Sequence, residues 1–134
     1  MTDRRNFIKT TLTVASGMAI GQVVKASESV HHTGIIYTAN NPGQWEKKVK
    51  GHAPEIAIDG KTVTITTNHV MTSQHYIVRH SLVTEDGTVL GAMTFSPKDK
   101  KAVSTYELPD GITTKLYATS FCNKHDLWMT ELTI

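Results

Sequence analysis

Hydrophobic and polar residues alternate with a period of two from residue 53 to the C-terminus, which is the pattern of β-strands with one buried face. The alternating runs are rich in β-branched residues and cover residues 56–58, 62–66, 76–78, 88–90, 103–106, 115–121 and 128–134. Asp-Gly pairs at Asp59-Gly60 and Asp86-Gly87 stand at hairpin positions. Residues 35–37 are a further candidate for a short strand, and no segment has a convincing helical period. The pattern predicts an all-β fold, an immunoglobulin-like antiparallel β-sandwich of about seven strands.

The N-terminal segment has a different character. Arg4-Arg5 stands before Asn6-Phe7-Ile8-Lys9, and a weakly apolar run follows from residue 10 to residue 24. This order is typical of a twin-arginine export signal. The apolar run of about 15 residues is shorter than the ~20 that span a bilayer, so we expect no stable membrane anchor. We predict an export signal over residues 1–26, a single domain over residues 27–134, and a periplasmic location.

The length, the net charge and the cysteine count exclude several classes of protein. A chain of 134 residues suits one domain with a modest core. The net charge is +2 and there is no long basic run, so we expect no nucleic acid partner. The single cysteine excludes an intrachain disulfide and a four-cysteine metal site. The sequence leaves the oligomeric state open, with a homo-oligomer as one option.

Metal-ligating side chains cluster at predicted loops. Cys122 and His125 stand three residues apart at the end of the sixth alternating run, where a tight turn directs both side chains to the same side. His69 and His75 flank a predicted loop of five residues, which lets two imidazoles face one ion. His52 precedes a predicted strand in the segment Gly51-His52-Ala53-Pro54, which we interpret as a loop. These four imidazoles and one thiolate are candidate ligands of one metal.

The other histidines are less suited to ligation. His80 lies inside a predicted strand, and by strand alternation its side chain points away from the face used by His75, so we interpret it as structural or exposed. His31 and His32 lie in a polar segment and are interpreted as solvated surface. The remaining donor set exceeds the four ligands of a structural zinc site, and nitrogen and sulfur donors suit iron better than magnesium or calcium.

Three motifs, in the same order, resemble the superoxide reductase family, that is, the iron domain of desulfoferrodoxin and neelaredoxin. They are His52-x-Pro54, the His-x5-His spacing of His69 and His75, and Cys122-Asn123-x-His125-x-Leu127-Trp128. The resemblance implies a non-haem iron held by His52, His69, His75, His125 and an axial Cys122. It implies one-electron reduction of superoxide to hydrogen peroxide. The electron donor would be external, rubredoxin-like or cytochrome-like, because no rubredoxin-like domain is attached.

Two departures from the family pattern carry expectations of their own. The family usually has Glu-Lys before its first histidine, where this chain has Lys50-Gly51, and the usual glycine of the cysteine turn is Asp126. We expect a lysine of the same segment, Lys50 first and Lys48 second, to attract superoxide in place of the missing lysine. We expect no carboxylate to approach the iron from this segment.

Two alternatives remain open at the level of sequence. Cys122-x2-His125-x3-Met129 resembles the ligand loop of cupredoxins, which are also exported β-sandwiches, so an electron-transfer copper protein is one alternative. An iron-binding electron-transfer protein or binding module without superoxide reductase turnover is the other. The optical and EPR spectra separate copper from iron, and turnover separates an enzyme from a binding module.

Overall fold

The computed structural model describes residues 32–134, which form one compact unit. The predicted export signal over residues 1–26 and the first residues of the predicted domain lie outside the described residues. Eight strands are present: β1 (Ile36–Tyr37), β2 (Glu55–Asp59), β3 (Thr62–Thr67), β4 (Ile77–Thr84), β5 (Val89–Thr94), β6 (Ala102–Glu107), β7 (Lys115–Cys122) and β8 (Asp126–Thr133). Each of the seven alternating runs contributes to a strand, and the candidate strand at residues 35–37 is β1.

The strands form two sheets, so the all-β prediction is confirmed. One sheet has the order β1-β8-β7-β4-β5 and the other has the order β2-β3-β6. Asp59-Gly60 and Asp86-Gly87 lie at the β2–β3 and β4–β5 turns, where both glycines have positive φ. All neighbouring strands are antiparallel except β1, which pairs with β8 in parallel. The sandwich is therefore antiparallel, as predicted, apart from this two-residue edge strand.

The core lies between the sheets and follows from the alternation. Every second residue of β3 and β7 is buried, and Val63, Ile65, Leu82 and Leu116 belong to one apolar cluster. Full burial of each such side chain contributes about 1.5–3 kcal/mol to folding. A second apolar cluster at one end of the sandwich surrounds Cys122. One of the candidate ligands, Cys122, is therefore itself part of the apolar core.

His80 links the two sheets inside the core. Its ring nitrogens form hydrogen bonds with the hydroxyls of Thr67 at 2.9 Å and Ser104 at 2.8 Å, both on the three-stranded sheet. Thr67 in turn forms a 2.8 Å hydrogen bond with Ser120 on β7. His80 is fully buried, and burial lowers its pKa to about 4. His80 is thus structural, as one of our two interpretations had it, and the exposed alternative was wrong.

A helical segment that the sequence did not predict precedes β2. It consists of a 3-10 helix (Gly43–Lys48) followed by a single turn of α-helix, α1 (Val49–His52). His52 is therefore the last residue of a helix and buried, where we had predicted a loop. Two helical pieces this short show no sequence period, because a 3.6-residue repeat needs a window of 11 or more residues. Within residues 32–134, no helix is long and apolar enough to cross a membrane.

Candidate metal centre

Five predicted ligands meet at one end of the sandwich. Cys122 ends β7, and His125 lies in the tight turn between β7 and β8. His52 comes from α1, while His69 and His75 come from the two ends of the β3–β4 connection. Their potential ligand atoms, one per residue, all lie within 4.8 Å of one another. The fold therefore brings together all five residues that the sequence predicted as ligands.

The four imidazoles form a square. The ligand nitrogen of His125 is Nδ1, and it lies 3.1 Å from Nε2 of His52 and 3.1 Å from Nε2 of His75. Nε2 of His75 in turn lies 3.0 Å from Nε2 of His69. Ring centroids of neighbouring histidines are 4.4 to 4.8 Å apart, and those of the opposite pair His52 and His75 are 6.0 Å apart. The centre of a square with these edges lies about 2.2 Å from each nitrogen, close to the ~2.0–2.1 Å of a metal–imidazole bond.

The thiol lies at equal distances from two opposite corners of this square. Its Sγ atom is 3.7 Å from Nε2 of His69 and 3.7 Å from Nδ1 of His125, which occupy opposite corners. Cys122 is buried, whereas His69, His75 and His125 are half-buried. The sulfur therefore occupies the buried side of the cluster, and the three half-buried imidazoles border the solvent.

Backbone carbonyls fix which nitrogen is free in two of the four rings. Nδ1 of His52 bonds to the carbonyl of Lys48 at 2.9 Å, and Nδ1 of His69 bonds to the carbonyl of Val70. A carbonyl only accepts, so Nδ1 carries the proton in both rings and Nε2 presents its lone pair to the centre. Lone pairs that converge in this way repel one another unless a cation lies between them. The donor set therefore fits a bound metal ion.

The ligand histidines are biased toward the neutral form that binds metal. Burial lowers the pKa of His52 to about 4 and lowers the pKa of His69. The pKa values of His75 and His125 are lowered by burial first and then by neighbouring positive charges, including those of Lys48 and Lys124. At neutral pH the four rings are uncharged, so a metal displaces no proton from them.

Cys122, in contrast, is biased toward the protonated thiol, which does not bind metal. Burial raises the pKa of its thiol, while the backbone amides of Lys124 and His125 donate hydrogen bonds to the sulfur and lower that pKa. Apolar side chains of Ile77 and Phe95 pack in the same cluster and keep water from the sulfur. A metal cation supplies the charge that converts such a thiol to the thiolate, so metal binding releases one proton.

Asn123 joins two of the ligand-bearing segments, and sequence reasoning gave it no role. Its side-chain carbonyl accepts a 3.0 Å hydrogen bond from the amide of Tyr76, and its NH₂ group donates to the carbonyl of Gln74 at 3.0 Å. These two bonds hold the segment of His75 against the turn of Cys122 and His125. The only signal in the sequence was the position of Asn123 inside the motif.

Two lysines act electrostatically on the clustered histidines. After burial, which is the largest cause, the positive charges of Lys48 and Lys124 also lower the pKa values of His75 and His125. Lys50 is exposed on α1. The sequence analysis ranked Lys50 above Lys48 and gave no role to Lys124, which lies between Cys122 and His125. The order of the two predicted lysines stays a prediction.

Gly51 has a packing reason that the sequence did not reveal. A Cβ atom at this position would lie 3.3 Å from the backbone carbonyl oxygen of Asn68, which is a tight contact. Gly51 lies within the helical turn α1, so its backbone conformation does not require a glycine. The close approach of α1 to the end of β3 explains why a larger residue, such as a lysine, does not fit here without a shift.

The cupredoxin alternative is not favoured by this arrangement. Met129 is a buried residue of β8 that pairs with Thr119 of β7. All four histidines of the cluster converge with Cys122, whereas a blue-copper site uses only two histidines. Four imidazoles and one thiol in a single cluster fit the expected iron site.

Comparison with known proteins agrees with the geometry. Among solved structures, the superoxide reductase (neelaredoxin) from Ignicoccus hospitalis is 26% identical, with a TM-score of 0.61 over 78% of this chain and 98% of that one. The superoxide reductase (1Fe-SOR) from Giardia intestinalis is 25% identical, with a TM-score of 0.58 over 63% of this chain and 99% of that one. The superoxide reductase from Treponema pallidum is 26% identical, with a TM-score of 0.53 over 60% of this chain and 66% of that one.

Sequence comparisons give a family but no individual relative. No curated protein matches the chain. The family model described as desulfoferrodoxin matches residues 42–131, a range that includes all five clustered ligands and more than half of the chain. The chain belongs to the desulfoferrodoxin family.

Proposed function

We propose that the protein is a superoxide reductase, which reduces superoxide to hydrogen peroxide at a non-haem ferrous centre. The observation that carries the proposal is the convergence of four imidazole nitrogens and one thiol within 4.8 Å. In this proposal the iron ligands are His52, His69, His75, His125 and Cys122. The solved superoxide reductases that the chain resembles support the reaction.

The reaction takes one electron and two protons per superoxide and yields one hydrogen peroxide. Ferrous iron, when bound, supplies the electron. Cys122 contributes a polarizable thiolate on the inner side, and the amides of Lys124 and His125 stabilise its negative charge. The four neutral imidazoles leave the centre with net positive charge, which favours an anionic substrate on the solvent-facing side.

Lysines near that side are proposed to attract superoxide. Lys48 is the better supported candidate of the two predicted residues, because its charge acts on His75 and His125. Lys50 lies on the same segment and remains the second candidate. Lys124 is added to the proposal because it sits in the ligand turn and acts on the same two histidines.

Export and electron supply are proposed from the sequence. Arg4-Arg5 and the apolar run after it support a twin-arginine signal and a periplasmic location. This route exports folded proteins, so iron would be loaded before transport. The electron donor is proposed to be an external rubredoxin-like or cytochrome-like protein.

The product yield tests the proposed function. Ferrous protein is mixed with a limiting amount of superoxide, and hydrogen peroxide and dioxygen are both measured. A reductase forms one peroxide per superoxide and no dioxygen, whereas a dismutase forms one peroxide per two superoxides and releases dioxygen. A dismutase yield, or no reaction of the iron-loaded protein, would contradict the proposal.

A further inference from the structure

Trp45 connects the helical segment to the ligand turn. Its indole Nε1–H donates a 3.0 Å hydrogen bond to Oδ2 of Asp126, across 81 residues of sequence. Its ring also packs edge-on against His125, with centroids 4.7 Å apart and an angle of 82° between the planes. Trp45 therefore contacts both a ligand and the residue that follows this ligand.

Asp126 adopts a backbone conformation that disfavours most residues. Its φ is 71°, and it is the one non-glycine residue with positive φ among residues 32–134. Glycine adopts this left-handed conformation freely, and among other residues Asn and Asp tolerate it best. The side-chain feature that a glycine would lack is the carboxylate that accepts the Trp45 hydrogen bond.

The same helical segment orients a second ligand. The carbonyl of Lys48, three residues after Trp45, accepts the hydrogen bond from Nδ1 of His52 at 2.9 Å. Nε2 of His52 then lies 3.1 Å from Nδ1 of His125. Asn123 holds the segment of His75 to the ligand turn, and the Trp45–Asp126 bond is the corresponding connection for the segment of His52.

We propose that Trp45 and Asp126 act as a pair of positioning residues that fix His52 relative to His125 and so retain the metal. The proposal rests on the proposed function for the identity of the metal, iron. The pair touches the two ligands in different ways. Trp45 packs directly against the ring of His125. It reaches His52 indirectly, because the helical segment that contains Trp45 also carries the Lys48 carbonyl that binds the His52 ring. It also holds Lys48 beside the site.

The test measures iron release from the iron-loaded full chain into excess chelator. Asp126→Gly removes the acceptor and relieves the backbone conformation, and Trp45→Phe keeps a ring on His125 but removes the donor. We expect both to speed iron release about tenfold, the effect typical of lost support around a metal ligand. Asp126→Asn keeps an acceptor oxygen and tolerates positive φ, so it should release iron at nearly the wild-type rate. Asp110→Gly, at an exposed carboxylate in the β6–β7 loop that pairs with Lys61, is the control and should have no effect.

Two further readouts separate positioning from general stability. Thermal unfolding of the metal-free Asp126→Gly variant should have an unchanged or higher midpoint, because glycine prefers this conformation. Hydrogen exchange of the Trp45 indole N–H, followed by NMR, should be faster in Asp126→Gly than in the wild type. The double variant Trp45→Phe/Asp126→Gly should release iron no faster than either single variant, since each removes the same bond.

Several outcomes would overturn the proposal. Wild-type release rates in both Asp126→Gly and Trp45→Phe would mean that the bond does not retain the metal. Additive effects in the double variant would mean that the two residues act separately. Release from Asp126→Asn as fast as from Asp126→Gly would assign the effect to negative charge. None of these measurements involves superoxide, so a failed superoxide assay leaves their result intact.

Discussion

Protonation of His80 should destabilise the fold in acid. The imidazole is fully buried between the sheets, and burial lowers its pKa to about 4, whereas an unfolded chain has a histidine pKa of 6.5. Both ring nitrogens are occupied by hydroxyl partners, Thr67 and Ser104, and neither partner carries a negative charge that could stabilise an imidazolium. The folded state therefore requires the neutral ring.

The sign and size of the effect follow from proton linkage. Between pH 6.5 and about 4 the unfolded chain binds a proton at this histidine that the folded chain does not bind. The free energy of unfolding therefore falls as the pH falls, by about 1.4 kcal/mol per pH unit and about 3 kcal/mol in total. The full contribution is present above pH 6.5. A loss of this size is a large part of the ~5–15 kcal/mol that stabilises a typical domain.

Urea unfolding of the metal-free protein at several pH values measures this term. The matched variant is His80→Gln, which keeps hydrogen-bonding groups but does not titrate. The ligand histidines titrate in both proteins, so the difference between them isolates His80. The stability advantage of the wild type over the variant should shrink by about 2 to 3 kcal/mol between about pH 7.5 and about pH 4.5. Parallel loss of stability in the two proteins would refute the reasoning.

Three further predictions concern substrate, export and metal. Lys48→Ala should slow the reaction of the ferrous protein with superoxide about tenfold at low salt and by a smaller factor at high salt. The matched Lys50→Ala variant should have a smaller effect. An unchanged rate and an unchanged salt dependence in both variants would contradict a role of this segment in attracting superoxide. Changing Arg4 and Arg5 to Lys should retain the precursor in the cytoplasm, and continued export would contradict the twin-arginine signal. Removal of iron by a chelator should lower the unfolding midpoint, because the ligand cluster exists only in the folded state; an equal midpoint with and without iron would contradict this.

The strands could be predicted because their pattern is local. Alternating residues such as those of β3 and β7 have one face in the core, and this leaves a period of two in the sequence. The parallel pairing of β1 with β8 could not be predicted in the same way. β1 has two residues, Ile36 and Tyr37, and its direction depends on contacts with Leu127 and Trp128, which are remote in sequence.

The ligands could be predicted because their chemistry and spacing are distinctive. Cys122 and His125 lie in one turn, and His69 and His75 lie at the two ends of one connection. His52 lies in the cluster, but its place at the end of a helix was missed because α1 is only four residues long. The close approach of Gly51 to Asn68 is likewise a tertiary contact with no local pattern.

The supporting residues were the hardest to predict. The hydrogen bond between Trp45 and Asp126 joins residues 81 positions apart, and the network of His80 joins four strands. A sequence alone shows these residues as an aromatic residue, an acid and a histidine in a strand. Their roles follow from which partners the fold brings within hydrogen-bond distance.

The most direct test of the metal centre is the optical spectrum of the oxidised protein combined with its iron content. The wild type should hold one iron per chain and show a thiolate-to-iron charge-transfer band in the visible region. Cys122→Ser should lose that band because the one sulfur donor of the cluster is gone, while the four imidazoles still provide nitrogen ligands. A band that survives the Cys122→Ser change would contradict the axial assignment, and a wild type that binds no iron would contradict the metal centre itself.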